Sequence, residues 1–327
     1  MTKVVRLYKF GGPDVLKVED TEIGNPGPDE ILLKQTAIGI NYNEILLRQG
    51  AGSFPPSDFP VILGREAAGI VQAVGTNVNQ LKIGDRVAYG MGGLGGYAEA
   101  RLIPAGRVVK LPDQISELQA ASIMVKGLTS YYLLHQAYSV QSGDTVLVHV
   151  ATGGVGRILC QWAKQRGATV IGSVSHDDKK QQALDVGCRH VINNQNPTFD
   201  QEVRDLTEGA GVHAVYDPIG EDSFEPSLKS LRVRGDFVAF GDLSGRLAPI
   251  DPHVLMEAGS VRFIRTSLRH FVSTPEELDE AARAVFSAVI AGHIEAHADQ
   301  TYKLQDIARA HADIEERRVS GTTILVP

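Results

Sequence analysis

The middle third of the chain alternates short β-branched runs with stretches whose apolar residues recur at helical spacing. Six of these runs are predicted strands, at residues 145–150, 169–174, 190–192, 214–217, 237–240 and 261–264. Between the first two strands, apolar residues at 155, 158, 159, 162 and 163 predict a helix that ends at Gly167. Strands that alternate with helices are typical of a parallel sheet. The pattern therefore predicts one doubly wound α/β sheet.

The two ends of the chain follow a different pattern. Short strands are predicted at residues 4–8, 31–38, 69–74 and 86–89, and Gly- and Pro-rich turns separate them. Near the other end, Thr274-Pro275-Glu276-Glu277 is a capping box that predicts a helix to about residue 291. A second helix at about 304–318 and a strand at 322–326 follow. The first 120 residues are thus β-rich, and periodicity leaves open which domain contains the tail.

Composition places the protein among ordinary globular chains. It has 327 residues, of which 43% are hydrophobic and 22% charged, which excludes disordered and fibrous classes. Single cores rarely grow beyond roughly 250–300 residues, so two domains are expected. No apolar run reaches 18 residues and no signal-peptide core follows residues 1–10, so we expect a cytoplasmic protein with no membrane partner.

Net charge and cysteine content exclude further classes of partner and site. The net charge is −7 and no basic run exceeds two residues, which argues against nucleic acid as a partner. The two cysteines, Cys160 and Cys188, form no C-x-x-C pair, so disulfide scaffolds and cysteine-rich zinc sites are excluded. We expect both to be buried, reduced thiols.

A glycine-rich turn lies between the first predicted strand of the sheet and its helix. The run Ala151-Thr152-Gly153-Gly154-Val155-Gly156 matches the dinucleotide fingerprint G-x-G-x-x-G, with Ala in the first glycine position. Gly153 would let backbone N–H groups approach a pyrophosphate, and Gly156 would let the helix pack closely on the strand. In this strand–turn–helix context the run predicts a dinucleotide site.

The end of the second strand indicates which dinucleotide binds. NAD-binding proteins usually place Asp or Glu there, against the ribose 2′-hydroxyl, whereas this chain has Ser173 and Ser175. Basic side chains that could neutralise a 2′-phosphate follow at His176, Lys179 and Lys180. A charge-assisted hydrogen bond of about 2 kcal/mol would favour NADPH over NADH by about 30-fold. Asp177 and Asp178 would weaken that preference if either faced inward; we interpret them as a solvated helix start.

Segments along the whole chain carry a family resemblance. They are GGPDVL (11–16), GINY (39–42), GREAAGIV (64–71), GDRV (84–87), KGLT (126–129), GGVGRILCQW (153–162), VYD (215–217) and LVP (325–327). Together they resemble the quinone oxidoreductase (zeta-crystallin-like), zinc-free branch of the medium-chain dehydrogenase/reductase superfamily. The resemblance implies a GroES-like β-rich catalytic domain formed by both chain ends, residues 1–124 with 268–327. It also implies a Rossmann domain at 125–267, NADPH in a cleft, and a homodimer.

The positions of the zinc ligands differ from those of zinc-dependent relatives. Zinc-dependent alcohol dehydrogenases of the superfamily carry Gly-His-Glu, an early Cys and a four-cysteine lobe; here the corresponding residues are Arg65 and Asn41, and the lobe is absent. Arg cannot ligate zinc, and none of the ten histidines belongs to an H-E-x-x-H motif. We therefore expect no metal. Quinones suit such a site because they are strong acceptors that need positioning more than a Lewis acid.

The resemblance also implies roles for individual residues. The catalytic candidates are Asn41, Tyr42 and Thr129. Residues expected to contact NADPH form three groups. Around the nicotinamide are Asn41, Lys126, Thr129, Tyr132, Phe240, Gly241, Arg265 and Ser267, and Arg317 reaches the cofactor from the tail. At the pyrophosphate are Gly153, Gly154 and Val155. On the adenosine side are Ser175, His176, Lys179 and Asn194.

One departure from the family bears on the substrate. Many relatives have Asp-Thr-Tyr where this chain has Glu44-Ile45-Leu46, so the tyrosine often proposed near the quinone is absent, and Tyr42 replaces it only if it faces the cleft. The leading hypothesis is an NADPH:quinone reductase. A reductase of activated double bonds (enals, enones) is the alternative; it needs a proton donor that Leu46 does not supply. A non-catalytic NADPH-binding or RNA-binding role is the third hypothesis, which the acidic charge disfavours.

Overall fold

The computed structural model describes residues 1–51, 55–319 and 321–327. These residues fold into two compact units. The first unit comprises residues 1–128, 272–290 and 295–327, and the second comprises 129–271 and 291–294. The domain division predicted from the sequence, 1–124 with 268–327 against 125–267, stays a prediction.

Strands and helices are numbered here in chain order. The strands are β1 Thr2–Leu7, β2 Leu16–Thr21, β3 Glu30–Ile40, β4 Val61–Ile62, β5 Glu66–Val74, β6 Arg86–Gly90, β7 Ala100–Pro104, β8 Val109–Lys110, β9 Thr145–Val148, β10 Thr169–Val174, β11 His190–Asn193, β12 Val212–Asp217, β13 Leu231–Ala239, β14 Arg262–Arg265, β15 Gln300–Lys303 and β16 Thr323–Val326. The α-helices are α1 Tyr42–Arg48, α2 Glu117–Tyr132, α3 Gly154–Gln165, α4 Lys180–Asp185, α5 Phe199–Leu206, α6 Glu221–Ser230, α7 Pro252–Glu257, α8 Pro275–Ile290 and α9 Ile307–Glu315. Short 3₁₀ turns lie at Pro13–Val15, Ala105–Arg107, Asp177–Lys179, Leu268–His270 and Leu304–Asp306, and a π-helical turn at Leu133–Ala137.

The first unit is β-rich, as predicted. Its larger sheet has the order β15-β16-β3-β5-β6-β8, with β7 paired to β3, and a smaller sheet has the order β2-β1-β4. β16 pairs antiparallel with β3, with Thr323 opposite Ile40. A buried apolar cluster that includes Ile31, Leu33 and Leu325 fills the space beside this pairing. Pairing and packing thus place the tail with the amino-terminal strands, a point that periodicity leaves open.

The second unit contains the six predicted strands in the order β11-β10-β9-β12-β13-β14. All five pairings are parallel. Counted along the unit, this is the 3-2-1-4-5-6 order of a Rossmann sheet. β13 begins at Leu231, six residues before its predicted start, because the charged run up to Gly235 hides a bulged strand whose register shifts against β12. β9 ends at Val148, before its predicted end, since Val150 adopts a positive φ of 54°.

Among the residues that the structure describes, no helix is both long and apolar enough to cross a membrane.

Candidate active site

The phosphate turn, residues 150–156, connects β9 to α3. Gly153 takes an extended backbone conformation before α3, and no side chain within the described ranges caps that helix. A Cβ on Gly156 would overlap the carbonyl oxygen of Val150, so only glycine lets the helix start this close to the turn. Gly153 and Gly154 are half-buried. The turn therefore presents uncapped N–H groups at the positive end of a helix, which fits a pyrophosphate.

The end of β10 distinguishes the two serines found there. Ser173 is fully buried, and its hydroxyl lies 2.7 Å from Nδ1 of His149. Ser175 is half-buried, as is Lys179, whereas His176 is exposed. Ser175 rather than Ser173 is thus the hydroxyl that a ligand can reach at this strand end.

Asp177 and Asn194 lie beside the same strand end. The Asp177 carboxylate pairs with Lys180 at 3.1 Å and accepts a hydrogen bond from the Asn193 amide at 3.0 Å. The hydrogen bond from Lys180 lowers the pKa of Asp177. Asn194 is half-buried and donates from Nδ2 to the Ser173 hydroxyl at 3.3 Å. Of the two carboxylates that could repel a 2′-phosphate, Asp177 is therefore already paired with a cation, and Asp178 is exposed.

A second group in the same unit surrounds Tyr132. This side chain is buried, its hydroxyl lies 3.0 Å from Oγ1 of Thr266, and its ring stacks on Phe271 with centroids 4.2 Å apart. Burial raises the pKa of Tyr132 to about 12, so the phenol stays protonated. Arg265 pairs with Asp242 at 2.7 Å. Thr266 belongs to this group but is not among the predicted site residues. Its position directly after β14 is the sequence feature that could have identified it.

Other predicted nicotinamide-side residues of this unit lie at strand and helix ends. Phe240 and Gly241 follow β13, Ser267 follows β14, and all three are half-buried. A Cβ on Gly241 would lie 2.5 Å from the Pro218 carbonyl oxygen, so the backbone approaches closely there. Thr129 lies on α2 and is buried.

In the first unit, Asn41 lies at the centre of a buried polar group. We call Asn41, Glu44, Glu66 and Lys126 the Asn41 group. The Asn41 amide donates from Nδ2 to Glu66 Oε2 at 3.0 Å, and its Oδ1 accepts from Lys126 Nζ at 3.1 Å. Lys126 Nζ also lies 3.1 Å from Glu66 Oε2, which makes an ion pair. Both ends of the Asn41 amide are therefore held in place.

Glu66 is the anchor of this group. It starts β5, is fully buried, and accepts from the Val125 backbone N–H at 2.6 Å through Oε1. A Cβ on Gly39 would overlap the Glu66 carboxylate, so glycine at that position makes the space for it. Glu66 was part of a resembling segment but not a candidate site residue, because its partners lie 25 and 60 residues away in sequence.

Glu44 is a buried carboxyl beside Asn41. Its Oε2 accepts from the Asn41 backbone N–H at 2.7 Å, which caps the start of α1. Burial raises the pKa of Glu44 to about 7, against the opposing influence of Arg65. The group thus includes an acid that changes protonation state near neutral pH.

The remaining candidates of this unit are exposed. Tyr42 is the first residue of α1 and its side chain is 45% exposed. Arg317 follows the end of α9, with a positive φ of 57°. The structure thus brings Asn41 and Lys126 into direct contact and leaves Tyr42 and Arg317 outside the Asn41 group. In the described parts of the chain, no group of three or more His, Cys, Asp or Glu side chains could hold a metal ion.

Comparisons with known proteins agree with both units. The family model for the alcohol dehydrogenase GroES-like domain matches residues 27–113, and the zinc-binding dehydrogenase model matches 154–287. The predicted fold class, a Rossmann sheet plus a GroES-like β-rich domain, is therefore confirmed.

Full-length relatives give the family. A quinone oxidoreductase of Pseudomonas aeruginosa is 39% identical, with all of both chains covered. The crystal structure of Escherichia coli quinone oxidoreductase complexed with NADPH is 40% identical, with a TM-score of 0.95 over 99% of this chain and all of the other. A 2-haloacrylate reductase of a Burkholderia species is 38% identical, over all of this chain and 99% of its own. The chain belongs to the quinone oxidoreductase family of the medium-chain dehydrogenase/reductase superfamily.

Proposed function

We propose that the protein is an NADPH-dependent quinone reductase that passes a hydride or electrons from NADPH to a quinone without a metal. The observation that carries the proposal is the phosphate turn, where glycines leave the first turn of α3 open to an anion. Support also comes from full-length relatives named quinone oxidoreductases, one with NADPH in its crystal structure.

The nucleotide would be held by the second unit. Gly154 and Val155 would donate backbone N–H groups to the pyrophosphate, beside Gly153, whose own N–H bonds to the Val150 carbonyl at 2.9 Å. Ser175, His176 and Lys179 would hold the 2′-phosphate, since Ser175 and Lys179 are accessible and Asp177 is paired with Lys180. When bound, NADPH supplies the hydride and the protein supplies position and electrostatics. This arrangement favours NADPH over NADH.

The chemistry would take place beside the nicotinamide, with Asn41, Lys126 and Thr129 as contacts. Lys126 and Glu66 each take one hydrogen bond of the Asn41 amide, which leaves the second N–H of that amide for a ligand. A polar group that is already fixed needs no reorganisation when charge moves onto an acceptor. Asn41 would therefore orient the acceptor rather than transfer a proton.

A second candidate function is supported by Glu44. Reduction of an activated double bond needs a proton for the carbon next to the activating group. Glu44 is a buried acid whose pKa is raised to about 7 by burial, and it lies against Asn41. A relative at 38% identity is named 2-haloacrylate reductase. Enals and enones are therefore the alternative substrates.

The proposal extends to the setting in which the protein works. We propose that it acts in the cytoplasm as a homodimer, with domains at residues 1–124 with 268–327 and at 125–267. The thiols of Cys160 and Cys188 are buried and reduced, with sulfurs 3.4 Å apart, which fits a reducing compartment. Sedimentation velocity would test the dimer: a single species near 35 kDa would contradict it.

The test of function is oxidation of NADPH and NADH by the purified protein with a panel of simple quinones and enones, with and without a zinc chelator. We expect quinone-dependent oxidation of NADPH that the chelator does not change, and much slower oxidation of NADH. Activity with enones alone would support the double-bond reductase. Tight NADPH binding with no turnover would point to a binding role.

A further inference from the structure

A chain of buried and half-buried polar side chains crosses the carboxyl ends of four neighbouring strands in the second unit, β11, β10, β9 and β12. We call it the His149 chain; its members are Asn194, Ser173, His149, Ser227 and Asp217. His149 follows β9 and is fully buried, with Nδ1 2.7 Å from the Ser173 hydroxyl and Nε2 2.8 Å from the Ser227 hydroxyl. Both imidazole nitrogens thus have partners, although none of these residues belongs to the phosphate turn itself.

Counting donors and acceptors gives the chain a direction. The Asp217 carboxylate only accepts: Oδ2 takes hydrogen bonds from Ser223 and Ser227, at 2.7 and 3.3 Å, and Oδ1 takes the Ile219 backbone N–H at 2.6 Å. Since the Ser227 proton points to Asp217, its oxygen accepts from His149, whose proton therefore sits on Nε2. Asp217 thus sets the tautomer of His149.

The other half of the chain follows from that tautomer. Burial lowers the pKa of His149, so the imidazole stays neutral and Nδ1 is an acceptor. The Ser173 hydroxyl then donates to Nδ1, and its oxygen accepts from Nδ2 of Asn194 at 3.3 Å. Every bond in the chain runs from Asn194 towards Asp217, so each member fixes the next.

The end of the chain lies where the adenosine ribose is expected. The Asn194 backbone N–H bonds to the Val174 carbonyl at 2.9 Å, so the backbone is held by the sheet and the His149 chain sets only the side chain. The backbone of Ala151, in the phosphate turn, donates to the Ser173 carbonyl at 2.9 Å. Ser173 therefore touches both the turn and Asn194.

We propose that His149 is a positioning residue for the nucleotide: acting through Ser173, it fixes the Asn194 side chain against the adenosine ribose of NADPH. The inference rests on the proposed function, because it assumes an NADPH site. It goes beyond that function by assigning a role in cofactor affinity to His149 and Ser173, which act through Asn194 and do not themselves contact the cofactor.

The test measures the NADPH dissociation constant by cofactor fluorescence, with thermal unfolding as a folding check. His149→Phe keeps a buried ring beside Phe199, whose centroid is 5.4 Å away, and removes both hydrogen bonds. We expect its dissociation constant to rise about tenfold, with turnover at saturating NADPH and the quinone KM within about twofold. The matched control is His213→Phe, which removes a histidine that accepts from the Thr145 backbone at the opposite end of the sheet; NADPH affinity should not change.

A double-mutant cycle separates positioning from general structural damage. If His149 acts through Asn194, the double variant with His149→Phe and Asn194→Ala should bind NADPH less than about twofold more weakly than Asn194→Ala alone. A full tenfold loss in that background would overturn the proposal, as would unchanged affinity in His149→Phe alone. If His149→Phe does not fold, Ser173→Ala replaces it, with Ser173→Thr expected to restore affinity because the hydroxyl returns.

The same titrations distinguish this inference from the proposed function. A wild-type protein that binds no NADPH would overturn both. A wild-type protein that binds NADPH and reduces quinones, together with a His149→Phe variant of equal affinity, would overturn the inference alone. Binding of NADPH that depends on His149, with no quinone turnover, would support the inference and contradict the reductase assignment.

Discussion

The Asn41 group and the His149 chain each hold an amide side chain in one orientation, but they do so through different interactions. Asn41 is held by ions, through the buried pair of Lys126 with Glu66. Asn194 is held by neutral hydroxyl and imidazole groups that end at one carboxylate. The Asn41 group contains Glu44, whose pKa burial raises to about 7, whereas burial lowers the pKa of His149 and keeps its imidazole neutral. The comparison shows that the acid that titrates near neutral pH, Glu44, belongs to the Asn41 group and not to the His149 chain.

Removing the anchor of the Asn41 group should have the largest effect. Glu66→Ala removes the carboxylate that pairs with the Lys126 ammonium, which is itself only 5% exposed. We expect a loss of about 3–5 kcal/mol in the free energy of unfolding, measured in urea. The control is Glu225→Ala, which removes a solvent-exposed partner of Lys229 and should change the free energy of unfolding little. Equal costs for the two variants would show that the ion pair does not organise the first unit.

The pH dependence of folding stability should show the raised pKa of Glu44. Its pKa is about 7 in the folded protein against an ordinary 4.5, so the folded state binds a proton between these values and the unfolded state does not. Stability from this group is therefore present below pH 4.5 and lost as pH rises through 7. Glu44→Gln lacks this change. Between pH 5 and pH 8, the stability of the variant relative to wild type should shift by about 2 kcal/mol in favour of the variant.

His311 makes the comparison with Glu44→Gln necessary. Burial lowers the pKa of His311 to about 3, so the unfolded state binds a proton below about pH 6.5 and stability falls as pH falls. This trend opposes that of Glu44 and would mask it in the wild type alone. Because His311 is present in both proteins, its contribution cancels in their difference. A constant difference between pH 5 and pH 8 would contradict a raised Glu44 pKa.

On the nucleotide side, Lys179→Ala should separate the two cofactors. Loss of one charge-assisted bond to the 2′-phosphate should raise the KM for NADPH by about 30-fold and leave that for NADH within about twofold. Lys229→Ala is the control, since this exposed lysine of the same unit pairs with Glu225 on α6. Equal effects of Lys179→Ala on both cofactors would remove that lysine from the phosphate site.

The smallest effect should come from Asn41 itself. Asn41→Ala removes the amide that the charged pair holds, and we expect turnover to fall about tenfold while the NADPH dissociation constant stays within about twofold. Folding stability should change little. A destabilised variant with normal turnover would make Asn41 structural, and the contrast with Asn194 would then disappear.

The sequence predicted most of the fold because the strands of the second unit carry their own apolar and β-branched pattern. It missed the early start of β13, where charged residues around Gly235 form a bulge. In the first unit it did not predict β2 or β7, whose faces are partly exposed and whose pairing depends on distant strands. Long-range pairing leaves little trace in local periodicity.

The site was predicted less completely. Fingerprint residues such as Gly153 were found because their motif is contiguous. Glu66 and His149 were not assigned roles, since Glu66 meets Asn41 across 25 residues and His149 meets Ser227 across 78. Sequence patterns identify a buried face but not which polar partners meet on it. Resemblance supplied residue positions, and only the structure supplied the groups that fix them.

The most direct test of the account is a titration of the wild-type protein with NADPH and NADH, followed by mixing each complex with 1,4-benzoquinone. We predict that NADPH binds about 30-fold more tightly than NADH and that the quinone oxidises bound NADPH at once. Equal affinity for the two cofactors, or bound NADPH that persists in the presence of the quinone, would contradict the account.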